Sequence, residues 1–523
     1  MMLDILIVGG MIVDGSGNPG YYAAVGVEGD LVHILRGDVS EIKAKSTIDA
    51  KSRVVTPGFI DVHAHSALMI LHDPFHLPKV HQGVTTELYG IDGNSYAPFA
   101  KQKDLDDFIV LNAGLEGSPP ITADWSSVSD YLARYDGKVS VNVAYIVGNS
   151  PLRIGAVGWH DREASDREMD TMKGLLRESM EEGAVGISTG LDYPPGSYAN
   201  TAELATLSAE AARLGGFYHT HVRYALGDRF LDPYREALEI GRQSGIPIHL
   251  THMMPRSVYS GSNWRLIELV ESARDGGMDV TFDNYPYPHG GTRLVYFLPH
   301  WTHDGGIKNL YEALRSPEAR ERIRKEMVIG SRESWDHVWV TYFKRAHNQK
   351  YEGRSIAEVA EMMGKSEIDA ICDLLLDEDL QTSFHATGHD YPLMPDFASH
   401  QNYMVGSDAL LIGDYPPAMG YGCFPEVIGK FCRDQRRMTL PQAIRKMTSF
   451  PAQRLGIKDR GLLRDGMKAD ITIFDYENIR ALATRDNPKR YSEGIDYVIV
   501  NGQVVVDHAQ HTGVFPGRTL RRG

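Results

Sequence analysis

The sequence predicts an α/β protein: a (β/α)8 barrel of the TIM type, with a β-sandwich formed by both chain termini. Three observations predict it. The two ends of the chain are made of short strand-like runs broken by turn residues. The middle alternates eight apolar runs with stretches of helical period. And 523 residues are too many for one compact core of usual size unless that core is a large α/β barrel.

Residues 1–56 supply the first part of the expected sandwich. LDILIVGGMIVDG, AAVGVEGDLVHIL and STIDAKSRVVTPG are β-branched runs separated by Gly-Gly, Asp-Gly and Gly-Asp turns. Residues 456–523 read the same way: KADITIFDYENI and IDYVIVNGQVVVDH alternate apolar and polar residues, and Asn501-Gly502 is a two-residue hairpin turn. Between them, residues 57–455 carry the expected barrel strands FIDVHAH, TTELYG, VNVAYIVG, AVGISTG, GFYHTHV, PIHLTHM, DVTFDNY and YMVGSD. Stretches such as SDREMDTMKGLLRESMEEG and PYREALEIGRQSG have the amphipathic period of intervening helices. From about Gly291 to Asp390 the rhythm breaks into charged helical text; the part around 291–350 is expected to be an insertion over the barrel mouth.

Composition narrows the function. Lys and Arg total 54 against 69 Asp and Glu, a formal charge of −15, which argues against nucleic acid or an anionic membrane as partner. No stretch approaches the roughly 20 apolar residues of a membrane span, and the opening MMLDILIVGG lacks a basic leader region. The three cysteines, Cys372, Cys423 and Cys432, form no CxxC pair and no disulfide framework. The expectation is a cytoplasmic enzyme acting on a small-molecule substrate, with a homo-oligomer left open.

The chemistry is suggested by where polar residues fall. Successive strand runs end in His63 and His65, Asp92, His221, His252 and Asp408. In such a barrel the strand ends converge at one face, and His63 and His65, two apart on a strand, share one side. Any single histidine or aspartate of this kind is weak evidence, because strand-end histidines often serve only as core hydrogen-bonding groups. Five separate strand ends carrying them together point to a metal site. Neutral imidazoles and carboxylates suit zinc, one ion or two, and zinc activates water near neutral pH.

The chain also resembles the amidohydrolase superfamily, and within it the D-aminoacylase (N-acyl-D-amino-acid deacylase) family. The motifs that carry the resemblance include PGFIDVHAH, QGVTTELYGIDGNSYAP, GAVGISTGLDYPPGSYA, YHTHVR, IHLTHM, DNYPYPHGGT, VGSDAL and RGLLRDGMKADITIFD, spread over nearly the whole chain. The resemblance implies that His63 and His65 hold one metal position and His221 and His252 the other, with Asp408 as general base. Asp92 stands where the family commonly has Cys, and its short reach is compatible with bridging two ions or binding one.

Two departures concern the substrate. The resemblance implies a Lys two residues after the second-metal histidine, where this chain has Met254, and an Arg before the FP motif, near Met419. Those cations hold the substrate carboxylate in the family. Their loss, worth about 1.5–3 kcal/mol for each charged hydrogen bond, predicts weak activity on N-acyl-D-amino acids and a preference for neutral amides. Tyr193 and Tyr287 are the expected polar contacts, Met254 and Met419 the apolar ones. His289 and Arg293 are other cations that could replace the lost charge, and Arg223 is expected in an ion pair. The alternatives are a lactonase, esterase or cyclic-amide hydrolase on the same metal centre, or a non-catalytic amidohydrolase-like subunit.

Overall fold

The computed structural model describes residues 2–523 apart from 257, 258, 260 and 328–333. Each of the eight central runs contains a strand, and their successive pairings are parallel. Phe59–Asp61 pairs with Val84–Tyr89, which pairs with Asn142–Tyr145. Val147–Gly148 then leads through Gly186–Gly190, Phe217–His221, Ile248–Leu250 and Val280–Asn284 to Tyr403–Val405. Ala409–Leu410 pairs in parallel with Ala64–His65, so the extension of the eighth run lies beside that of the first. Every residue of Gly186–Gly190 and Phe217–His221 is buried, as expected of parallel strands covered on both faces.

The covering helices follow from local sequence. Asp166–Glu181 begins at a capping box, with Ser165 and Glu168 satisfying each other's backbone N–H groups, and buries a stripe containing Met172 and Leu176. Asp232–Ser244 ends where Gly245 turns left-handed at φ 70°. Among the described residues, no helix is long and apolar enough to cross a membrane.

The interruption of the strand rhythm has a sheet of its own. His289–Arg293, Ser383–Thr387 and Val338–Tyr342 form a three-stranded antiparallel sheet with Ser383–Thr387 in the centre. Helices between residues 307 and 377 pack on it around an apolar cluster of their own that includes Phe297, Leu310, Ile371 and Phe384. Because the last strand is the central one, the excursion runs on to residue 387, close to the end of the stretch, about Gly291 to Asp390, in which the sequence loses its strand–helix rhythm. Residues 328–333 of the predicted insertion lie outside the described residues.

The two ends of the chain meet in sheets. Leu31–Leu35, Ala24–Glu28, Leu3–Val8 and Ala44–Asp49 form one; a seven-stranded sheet joins Val54–Pro57 to Ile471–Phe474 in antiparallel pairing. Ile5, Val25 and Val32 share an apolar cluster with Ile471, Ile473 and Ile499, so residues from both ends bury each other. Asn501 and Gly502 both have positive φ, 48° and 78°, the geometry of the predicted hairpin turn.

Candidate active site

The six sequence-selected residues come together. His63 and His65 follow the first strand, Asp92 the second, His252 the sixth and Asp408 the eighth, while His221 closes the fifth. Three of them, Asp92, His252 and Asp408, have left-handed backbone, with φ of 52°, 30° and 50°. Such a conformation costs a non-glycine residue of order 1–3 kcal/mol and persists where the surroundings fix it, most often at functional sites. Two glycines allow the close packing around them. A Cβ on Gly190 would overlap the Asp92 carbonyl, and one on Gly406 would come within 2.8 Å of both the Asp283 carboxyl carbon and His63 Cβ.

Asp92 Oδ2 is the centre. It lies 3.5 Å from His63 Nε2 and 3.6 Å from His65 Nε2, His221 Nδ1 and His252 Nε2. Asp408 Oδ1 is 3.4 Å from His63 Nε2 and 3.3 Å from His65 Nε2. These gaps are longer than a good N–H···O bond of about 2.9 Å. They match the roughly 3.3 Å between neighbouring ligands of a tetrahedral ion bound at about 2.0–2.1 Å. The triads His63–His65–Asp408 and His63–Asp92–His252 are each compact enough to share an ion.

Each imidazole is also held from behind. His63 Nδ1 faces Asp283 Oδ2 at 3.2 Å, His65 Nδ1 faces Glu116 Oε1 at 3.2 Å, and His221 Nε2 faces Asp192 Oδ2 at 3.2 Å. His252 Nδ1 is 3.3 Å from the Tyr224 hydroxyl. A carboxylate accepts the N–H on its side, which leaves the opposite nitrogen of the ring as a lone pair aimed inward. This is how metal-binding histidines are oriented. Glu116, Asp192 and Asp283 were not visible as site residues in the sequence. Glu116 closes the helix Gln102–Glu116 and carries no local motif; Asp192 sits inside the STGLDYPPG motif beside Tyr193, in a turn with no strand alternation to set its direction.

Electrostatics agree with a cation at the centre. Burial pulls the His65 imidazole down, but Asp408, Asp92 and Glu116 outweigh it and raise its pKa to about 10. For His221, Asp192 and Asp92 likewise outweigh burial and raise it to about 9. Burial would push the Asp92 carboxyl up, yet His63 and the other imidazoles hold it well below the usual carboxylate range. The buried atoms His63 Nε2 and Asp92 Oδ1 have no hydrogen-bond partner among the described residues, an expensive omission unless something else satisfies them. Imidazole and carboxylate donors at this spacing fit a zinc-like ion.

A cavity of about 90 Å³ opens onto the cluster, lined by His65, Asp92, His221, His252 and Asp408. It is small beside the roughly 300–1,000 Å³ of sites that hold drug-sized ligands, so it fits a compact substrate. Tyr193 and Met254 line it, as expected. Tyr287 and Met419 do not. Tyr287 is turned toward Gly422 on the helix Met419–Glu426, and Tyr285, two residues earlier, lines the cavity instead. Met419 begins that helix and is fully buried in the main apolar cluster. The other cations considered also lie elsewhere. His289 stacks near His385, Arg293 sits 4.3 Å over the Tyr193 ring and bonds to Asn112, and Arg223 pairs with Glu236 at 3.1 Å.

Parallel strands with a histidine and aspartate cluster at their ends define a class of hydrolase. The Amidohydrolase family model matches residues 46–506; the chain belongs to that family and is a hydrolase of carbon–nitrogen bonds other than peptide bonds. More particularly, it is 33% identical to an N-acyl-D-glutamate deacylase of Alcaligenes xylosoxydans xylosoxydans, over 99% of this chain and 97% of that protein. It is also similar to the crystal structure of the N-acyl-D-glutamate deacylase of Bordetella bronchiseptica complexed with zinc and a phosphonate inhibitor (TM-score 0.84, 31% identity, all of both chains). A D-aminoacylase with a binuclear metal centre gives a TM-score of 0.83 at 30% identity, over 99% of this chain and all of the other.

Proposed function

We propose that this protein hydrolyses a carbon–nitrogen amide bond in a small molecule, with zinc held by His63, His65, Asp92, His221, His252 and Asp408. The observation that carries the reading is the convergence of four imidazoles, each braced by a partner, on Asp92 Oδ2 at 3.5–3.6 Å. The relatives' zinc and binuclear centres support the choice of ion. We infer also that the eight parallel runs close as a (β/α)8 barrel and that the terminal sheets form a sandwich beside it; the succession of parallel pairings and the shared apolar cluster support this.

When bound, zinc supplies Lewis acidity, polarising a carbonyl and lowering the pKa of water to about 7. The rest falls to the protein. Asp408 lines the cavity beside the histidines, in position to take a proton from the attacking water and deliver it to the leaving nitrogen. Tyr193 also lines the cavity. Burial and the nearby Asp92 charge hold its pKa well above the ordinary tyrosine value, so it stays protonated and can donate to an oxyanion. Asp192, Asp283 and Glu116 keep the imidazoles oriented through the cycle.

The test is a matched amide and ester of the same shape, assayed with the zinc-loaded protein and with Asp408→Asn. The amide should be hydrolysed, and Asp408→Asn should lower kcat by about 10²-fold or more while zinc content holds. Hydrolysis of the ester alone would overturn the amide assignment, and an unchanged kcat in Asp408→Asn would move the proton transfer elsewhere.

A further inference from the structure

Behind the histidines of the first strand lies a second buried cluster of charge. Asp61 ends that strand, and Glu87 sits opposite it on the second, in parallel register. Lys79 stands on the short helix Leu77–Val80, in the connection between the two strands. Its Nζ bonds to Asp61 Oδ2 and lies 3.0 Å from Glu87 Oε1. All three side chains are fully buried. Burial alone would discharge the ammonium, but Asp61 and Glu87 outweigh it and raise its pKa above the ordinary lysine value. Glu87 Oε2 is matched in turn by His76 Nε2 at 2.6 Å and by the Tyr89 hydroxyl at 2.5 Å.

The ammonium has one more partner, and that partner is the neighbour of Asp408. Lys79 Nζ donates to Ser407 Oγ at 2.7 Å. An ammonium cannot accept, so the Ser407 hydroxyl turns its own proton elsewhere, toward His63 O at 3.2 Å. His63 O also accepts the Asp408 N–H at 2.8 Å. Asp61 Oδ1 completes the lacing, accepting the His63 N–H and the Ser407 N–H at 3.0 Å each. These bonds join the turn after the first strand to the turn after the eighth. We propose that Ser407, held by the Lys79–Asp61 pair, is a positioning residue that sets where the Asp408 carboxylate lies against His63 and His65. The proposal rests on the reading of Asp408 as the group that moves the proton.

The position of Asp408 needs such a hold. Its φ of 50° is a left-handed conformation that the surroundings must keep in place. Its Oδ1 stays 3.3–3.4 Å from two imidazoles while the side chain faces the cavity. Stability alone does not call for charge here, since replacing a buried ion pair with apolar side chains is often neutral or stabilising. An apolar side chain, however, cannot bond in fixed directions to the N–H and C=O groups of two separate turns. A misplacement of about 1 Å near reacting atoms can cost about 10²-fold in rate. A rigid, directional tie at Ser407 therefore bears on the proton transfer more than on the folding of the strands.

The experiment takes Ser407→Ala, Asp408→Asn and the double variant. It measures kcat and KM per bound zinc, and the visible absorption of each protein loaded with cobalt instead. Ser407→Ala should lower kcat by about 10- to 100-fold with KM unchanged, and its cobalt band should move as it does in Asp408→Asn. In the Asp408→Asn background the same change should lower kcat little further, because both act through one carboxylate. Ser407→Cys, close in size and a weaker hydrogen-bonding group, should show smaller shifts of the same kind, and it carries the test if Ser407→Ala does not fold. Where Asp408→Asn is impaired, three results overturn the positioning role: a wild-type kcat in Ser407→Ala, a loss confined to KM, or a loss that multiplies with that of Asp408→Asn. If the wild type hydrolyses no amide, or Asp408→Asn keeps its kcat, the functional reading falls and the cobalt band alone decides. A band moved by Ser407→Ala then upholds the placement of Asp408, and an unmoved band overturns it.

Discussion

Asp283 gathers three groups on one carboxylate. Oδ2 accepts from His63 Nδ1 at 3.2 Å and His249 Nε2 at 2.9 Å, and Oδ1 accepts from the His252 N–H at 2.6 Å. It thus braces a candidate ligand from the first run and another from the sixth. Asp283→Ala should weaken zinc binding by about 10- to 100-fold, the usual effect of losing such a bracing partner, and Asp283→Asn by less. Zinc affinity measured against a competing chelator checks this, and wild-type affinity in Asp283→Ala would show that the imidazoles are held by other means. The candidate ligands were legible in the sequence because each follows an apolar run, as in GFYHTH and IPIHLTH. Their braces were not, because Glu116, Asp192 and Asp283 reach the centre through tertiary packing that no local pattern records. The choice between Tyr285 and Tyr287 was equally invisible. Both lie in the irregular segment after Val280–Asn284, where no strand alternation fixes which ring faces the cavity.

The helix Leu440–Met447 is fastened to the eighth run by a buried lysine. Lys446 Nζ donates to His400 O and lies 5.4 Å from the centre of the Tyr403 ring, at the start of the strand that leads to Asp408. Burial and the neighbouring Arg445 lower its pKa from 10.5 to about 7. Between those values the unfolded chain binds a proton that the folded chain does not, so stability falls as pH drops from 10.5 to about 7 and levels off below. Lys446→Met removes that penalty. The variant should melt above wild type at about pH 7 and below, and the difference should shrink as pH rises toward 10.5. A difference in Tm that does not vary with pH would contradict the assignment. At this scale the eight strand runs were readable from apolar patterning alone. The excursion's strand pairing was not, because Ser383–Thr387 is short and pairs with His289–Arg293 far upstream in the chain.

Across the whole molecule, the ends of the chain bury each other while the excursion reaches the strand-end cavity. The terminal sheets bury residues from both ends together, while the excursion contributes Gly290, Gly291, Thr292 and Tyr296 to the cavity wall, beside His389 just after it. Variation in substrate can therefore arise in the excursion without disturbing the strand-end cluster. The central claim is that bound zinc is required for turnover, and one titration tests it: remove the metal with a chelator, then return zinc stepwise while measuring both bound zinc and amide hydrolysis. Activity should vanish in the metal-free protein and return in step with occupancy of the His63, His65, Asp92, His221, His252 and Asp408 cluster. Full hydrolysis by protein shown to be free of metal would contradict it.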